Sequence, residues 1–232
     1  MAHPGMRVFL TSILMILFLG APAGLFAQQI LTANEFFDNV AANYATIEDY
    51  VATVAWSDES AAMRGELTYK RPNLIRIDFT DPEDQVLVSN GETLMVYVPA
   101  YNVVLQQELR EPVEAAPGGI ATEEGLALMR RNYNIAYLEG PEPVPLSEDS
   151  EVFVTQLRLD RKQATEGFRQ LVLSVDEAGY IRRIDATKVD WEEVRMELSD
   201  IRINQRISDQ VFEEDPDPAA SVNENFLYDP EG

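Results

Sequence analysis

Residues 65–109 read GELTYKRPNLIRIDFTDPEDQVLVSNGETLMVYVPAYNVVLQQEL, and the reading of this run decides the fold. Apolar and polar residues alternate with period two, the spacing at which a strand sends successive side chains to opposite faces. Leu67 and Tyr69 fall on one side; Glu66, Thr68 and Lys70 fall on the other. Ile75, Ile77 and Phe79 alternate in the same way with Arg76, Asp78 and Thr80. Turn signals break the run at regular intervals. Asp81-Pro82 is one, and Ser89-Asn90-Gly91-Glu92 is a strong two-residue hairpin signal, because both central positions tolerate positive φ. Pro72 cannot donate to a ladder and belongs at a bend or an edge. The spacing predicts strands over 63–70, 74–80, 85–89, 93–98 and 102–109. Together they form an antiparallel meander with one apolar and one polar face.

Working outward, residues 50–56 alternate again, with Tyr50, Ala52, Val54 and Trp56 on one side, and read as a preceding strand. Before it, Phe36, Phe37, Val40, Ala41 and Tyr44 recur at helical spacing, with Asn34 as the expected cap. On the other side, residues 110–121 are rich in proline, glycine and alanine and read as a loop. Thr122-Glu123-Glu124-Gly125 caps a short helix that carries Leu126, Leu128 and Met129. A lone helix between two loops has the form of a movable lid, although a static surface helix is the commoner outcome. Residues 133–138 suit helix or strand, and three prolines over 140–145 end that segment. Alternation then returns over 153–159, 170–175, 180–189 and 194–203, with a hairpin turn at Glu177-Ala178-Gly179 and a short closing element over 208–212. About nine or ten strands with two clear helices predict a mainly β, α+β fold: a curved antiparallel sheet or incomplete β-barrel with helices on its concave face. Such a sheet is either filled by its own side chains or holds an apolar ligand.

The first 27 residues have the form of a secretory signal peptide: Arg7, an apolar run over 8–19, then small residues. The run is too short to span a bilayer. Cleavage is expected after Ala27, with Ala23 as the alternative, which makes the working chain an exported, soluble, periplasmic protein. Residues 28–212 are then one domain. Residues 213–232 form an acidic, proline-bearing tail whose composition predicts partial disorder.

All 40 acidic residues follow the signal, against 17 of the 18 basic ones, so the working chain has a formal charge of about −23. Such a charge repels nucleic acid and anionic lipid. The chain has no cysteine, and its one histidine, His3, lies in the signal. That excludes a histidine general base, a Ser-His-Asp triad, a thiol nucleophile and a histidine- or thiolate-bound zinc. No cofactor, metal or catalytic residue is assigned. Carboxylate chemistry alone stays open, with Asp78, Asp81, Glu83 and Asp84 as a hydrolase alternative; the ordinary expectation for such a cluster is a solvated acidic surface.

One further pattern is specific. Gly65, Leu67, Lys70, Arg71, Pro72, Asn73 and Leu74 spell G-x-L-x-x-K-R-P-N-L. Pro82, then V-L-V-S-N-G-x-x-L over 86–94, Tyr97 and Pro99 follow, and Asn204, Ile207, Ser208 and Phe212 close the chain. In these residues the sequence resembles the LolA family of periplasmic outer-membrane lipoprotein carriers. It departs at Met95, where an aromatic is common, in the loop 110–121, and in the acidic tail.

The resemblance implies an incomplete barrel closed by helices. Its implied task is to take acylated lipoproteins from an inner-membrane release complex and hand them to an outer-membrane acceptor. It implies an apolar cavity, for which the candidate lining is Leu67, Tyr69, Ile75, Ile77, Phe79, Val86, Val88, Met95 and Tyr97. It also implies a latch at Arg71, bonding backbone carbonyls of the covering helices; an arginine carries five donors and no acceptor. The expected carrier is monomeric and does not bind nucleic acid. The competing expectation is a periplasmic lipid- or peptide-sensing regulatory protein of related fold.

Overall fold

The computed structural model describes residues 31–109 and 121–226. The signal peptide with its cleavage site, most of the loop 110–121, and Leu227 and Tyr228 of the tail lie outside the described residues. Six strands run in order from the first helix: β1 (Asp49–Ser57), β2 (Ala62–Lys70), β3 (Leu74–Asp81), β4 (Glu83–Ser89), β5 (Thr93–Val98) and β6 (Val103–Glu108). Each pairs antiparallel with the next, and their bounds lie within two residues of those the alternation predicts.

A second meander holds β9 (Phe153–Arg161), β10 (Phe168–Asp176), β11 (Ile181–Lys188) and β12 (Glu193–Ile203). β12 pairs antiparallel with β1, which fuses the two meanders into one sheet. The ambiguous segment is a strand, β7 (Tyr133–Tyr137), on the far side of β9. Two short strands lack any alternation to announce them: β8 (Val144–Pro145) beside β9, and β13 (Ser221–Glu224), parallel to β6. The result is a 13-stranded sheet, with β13 and β7 at the ends of its main path and not paired to each other.

Helix α1 (Ala33–Tyr44) starts at Thr32, not Asn34. Thr32 has extended backbone and accepts from the Glu35 N–H, while Glu35 reaches back to the Thr32 N–H at 2.9 Å. This reciprocal capping box satisfies two donors at once. Asn34 lies inside the helix, and its side chain accepts from Arg130 instead. Helix α2 (Glu123–Asn132) begins as expected, with Thr122 accepting from the Gly125 N–H. Glu123 and Glu124 in its first turn and Arg130 and Arg131 in its last complement the helix dipole.

Both helices lie on one face of the sheet. Phe37, Val40 and Tyr44 of α1, and Leu126 and Met129 of α2, join Leu67, Tyr69, Ile75, Ile77, Leu157, Leu173 and Ile184 in one buried cluster. The register explains the sharing. Leu67, Ile77, Leu87, Val96 and Leu105 are successive cross-strand partners, and directly paired residues point to the same face.

The other face of β2 and β3 carries a different cover. After β12 the chain reverses through Asn204 and Arg206, both at positive φ. The buried Asp49 carboxylate accepts from the N–H groups of Gln205 and Ile207. Lys70 bonds the Ile207 carbonyl and Asp209. Arg76 donates to the carbonyls of Val211 and Glu213 and to Glu214, with Phe212 buried between. Residues 205–214 thus form a strap over the outer face, and the chain then reaches the β6 edge as β13. The closing motif seen in the sequence is this strap.

Candidate functional site

Five of the nine candidate lining residues, Leu67, Tyr69, Ile75, Ile77 and Phe79, lie on the helix-covered face. The other four do not. Val86 and Tyr97 are in register with Asp78, and Val88 and Met95 with Arg76, so all four lie on the outer face. The correction has a plain cause. Side-chain direction restarts after each turn, and a shift of one residue exchanges the faces. Both faces of β4 and β5 are apolar, so alternation there does not set the phase. Leu87, Leu94 and Val96 are the inward residues. Val88 is buried at 6%, yet apart from the main core, beside the Arg76 that holds the strap.

Two turns build the end of the sheet where Arg71 sits. At Gly91, φ is +87°, and an added Cβ would lie 2.5 Å from the Asn73 side chain, so the β4–β5 turn packs directly on the β2–β3 turn. Asn90 is not among the positive-φ residues; its side chain instead accepts from the N–H groups of Glu92 and Thr93. Of the two central positions read as a hairpin signal, only the glycine uses the left-handed region. These contacts tie the R-P-N-L and S-N-G motifs into one corner.

From that corner Arg71 reaches both helices. Its backbone N–H bonds the Glu48 carbonyl at 2.9 Å, continuing the β1–β2 ladder by one step. Its guanidinium donates to the carbonyl of Ala45, the C-cap of α1, at 2.9 Å, and to Glu123 Oε2, in the first residue of α2, at 2.8 Å. Glu48 Oε1 lies 3.7 Å away. The cation therefore meets the negative end of the α1 dipole and a carboxylate at the start of α2. One carbonyl and one carboxylate take the place of the carbonyls alone that the family resemblance implies.

Two tyrosines complete the hold on the start of α2. The Tyr50 hydroxyl donates to the Ala121 carbonyl at 3.2 Å, and the Tyr69 hydroxyl donates to the Pro72 carbonyl at 3.2 Å with Glu124 Oε2 at 3.4 Å. Their rings pack against each other at 5.2 Å between centroids, tilted by 36°. Burial pushes both phenols above their ordinary value, and at Tyr69 the Glu124 carboxylate adds to the effect. Tyr50, Glu123 and Glu124 were legible only as a strand residue and a helix start; nothing in their spacing marks Glu123 as a partner of Arg71, Tyr50 as a partner of Ala121 or Glu124 as a partner of Tyr69.

The helices are tied elsewhere too. Arg130 of α2 bonds Asp38 and Asn34 of α1. Asn43 donates to the carbonyls of Ala178 and Gly179, and Tyr44 accepts from the Ile181 N–H, which fixes the end of α1 to the β10–β11 turn. Beside α1, a cleft of about 430 Å³ opens between Phe36, Val40, Phe153 and that turn. Among the described residues, no group of three or more His, Cys, Asp or Glu side chains is placed to hold a metal ion. Asp78 is engaged by Arg76 at 2.7–3.0 Å, while Asp81, Glu83 and Asp84 lie exposed at the β3–β4 turn. That is the solvated arrangement.

A family model described as outer membrane lipoprotein carrier protein LolA matches residues 51–215, from β1 through the strap. An outer-membrane lipoprotein carrier protein of Haemophilus influenzae (strain PittEE) is 27% identical over 160 residues, which is 69% of this chain and 70% of that protein. One of Serratia proteamaculans (strain 568) is 31% identical over 142 residues, covering 60% and 62%. Among solved structures, an uncharacterized conserved protein from Thermus thermophilus shares the fold with a TM-score of 0.53 at 14% identity, over 83% of this chain and 98% of that one.

Proposed function

This chain belongs to the LolA family of outer membrane lipoprotein carrier proteins, and from that premise we propose that it is a periplasmic lipoprotein carrier without catalytic activity. It takes the acyl chains of a lipoprotein from an inner-membrane release complex, shields them between the sheet and its covering helices, and yields them to an outer-membrane acceptor. It works as a monomer. The observation that carries the proposal is Arg71, which joins the ends of both helices over an apolar face.

Each acyl methylene exposed to water costs about 0.8 kcal/mol, so lipid chains need a shield to cross an aqueous space. In the structure the inner face is occupied by side chains of α1 and α2, which cover it as a substitute for lipid. Cargo enters when the helices move away, and the lining is then Leu67, Tyr69, Ile75, Ile77 and Phe79 with Leu87, Leu94 and Val96. Opening must be reversible. A charge-assisted hydrogen bond contributes roughly 1.5–3 kcal/mol and a partly exposed ion pair roughly 1 kcal/mol or less. A hold of that size favours the closed state and still yields to a ligand that buries many methylenes.

Native mass spectrometry of the mature protein, incubated with a triacylated lipoprotein and with its unacylated form, tests the proposal. A one-to-one complex with the acylated form alone is expected, with altered occupancy in Arg71→Leu. Equal binding of both forms, or of neither, overturns it.

A further inference from the structure

Register places the β11–β12 hairpin at the end of the sheet opposite Arg71, because Ser57 pairs with Ala62 and Arg195 there while Asp49 pairs with Lys70 at the latch end. The tip of this hairpin, residues 189–192, presents Trp191 at 69% exposure and Val189 at 46%. Trp191 has φ +76°, a strained conformation that bulky residues seldom adopt. An indole left in water gains little burial to offset that strain.

The indole is nonetheless held in place. The Arg169 guanidinium carbon lies 4.3 Å from its ring centroid, and Arg169 Nε donates to the Val189 carbonyl at 2.9 Å. The backbone N–H of Trp191 bonds the Lys188 carbonyl, and Lys188 pairs with Glu192 at 2.7 Å. A rigid, exposed aromatic loses little conformational freedom on docking, the property of an anchor residue in a protein interface.

The surroundings set the sign of the partner. Beside the tip, on the outer face, lies a cleft of about 440 Å³ lined by the carboxylates of Asp58, Glu59, Asp185 and Glu193. Its one basic lining residue, Arg195, is bonded to Asp185 at 2.6 Å. The exposed Lys188 ammonium is stabilised first by Glu192, with Asp190 and Asp58 adding to the field. An anionic bilayer surface would meet these carboxylates and be repelled.

We propose that the Trp191 tip is a docking site for a protein that seats the indole in an apolar pocket and presents lysine or arginine side chains to the adjoining acidic cleft. This site is separate from the lipid face and does not depend on the carrier reading. A photo-reactive benzoylphenylalanine at position 191, in the full chain in its native cell envelope, tests it, with the same probe at the exposed Tyr101 as control. One protein adduct is expected at 191, mapping to a peptide with lysine or arginine nearby, and falling about tenfold in the Glu59→Lys/Glu193→Lys background. Trp191→Gly is expected to abolish binding of that partner in purified form while leaving thermal stability unchanged or higher, since glycine relieves the left-handed backbone. Labelling of lipid alone, labelling no stronger than at Tyr101, or a yield indifferent to the charge reversal overturns the proposal. Lipoprotein occupancy of Trp191→Gly is expected to equal that of the parent, so failure here and failure of the carrier reading are read separately.

Discussion

Arg71 and Arg76 stand five positions apart, and each holds a cover on a different face of the same strands. Arg76 is the more deeply set, with its side chain 16% exposed, and it engages two carbonyls and two carboxylates, Asp78 and Glu214. Its carboxylate partners raise its already high pKa. Arg71 is 33% exposed and engages one carbonyl and one close carboxylate. The strap under Arg76 is further anchored by Asp49, Lys70 and the buried Phe212. The helices under Arg71 rest on an apolar face. The difference separates a deeply anchored cover from a more lightly held one, although both are arginine clamps within one stretch of six residues.

The largest expected effect breaks the permanent cover. Phe212→Ala should cost about 3–5 kcal/mol by the behaviour of buried aromatics, read as a lower urea midpoint. It should also expose residues 205–214 to proteolysis. Next, Arg76→Ala should cost about 2–4 kcal/mol, because it strips a partly buried Glu214 of its partner. Its denaturation curve should move beyond that of Arg71→Leu, for which about 1.5 kcal/mol is expected because solvent screens that more exposed site. Equal shifts for the two arginines would erase the distinction between the covers.

A third test uses pH. Tyr50 and Tyr69 lie on the inner face, and burial raises both phenols above the ordinary 10.0. The unfolded chain then releases its phenolic protons at lower pH than the folded one. Their stabilisation is complete below pH 10 and is lost as the pH climbs from 10 toward the folded values. Stability should fall above pH 10, and the fall should be shallower in Tyr69→Phe. The smallest effect belongs to the exposed part of the latch. Glu123→Gln should lower stability by about 0.5 kcal/mol or less and should make apolar-dye binding less dependent on salt. An unchanged salt dependence would leave the Ala45 carbonyl as the whole latch.

The strands of the first meander were legible almost to the residue because its alternation and turn residues act over short range. Inside and outside were legible for β2 and β3, where one face is plainly polar. For β4 and β5 they were not, and Val86, Val88, Met95 and Tyr97 fell on the wrong side for lining a cavity. Both faces of those strands carry apolar residues, so their alternation does not set the phase. Arg71 was marked by its motif, but Glu123, Glu48 and Ala45 became its neighbours only through folding.

What the sequence determined by itself is local: the period of the longer strands, the capping of α2, the glycine at the β4–β5 turn, the acidic charge and the absence of cysteine. What the tertiary structure alone decided is which distant segments meet. The strap crosses the outer face because Asp49, Lys70 and Arg76 take up its backbone groups. β13 closes on β6 although its four residues are all exposed. Trp191 is held at the tip of its hairpin because Arg169, from β10, lies against its ring. Such contacts join residues tens of positions apart, and the free energy that selects them comes from burial and pairing that no single segment contains.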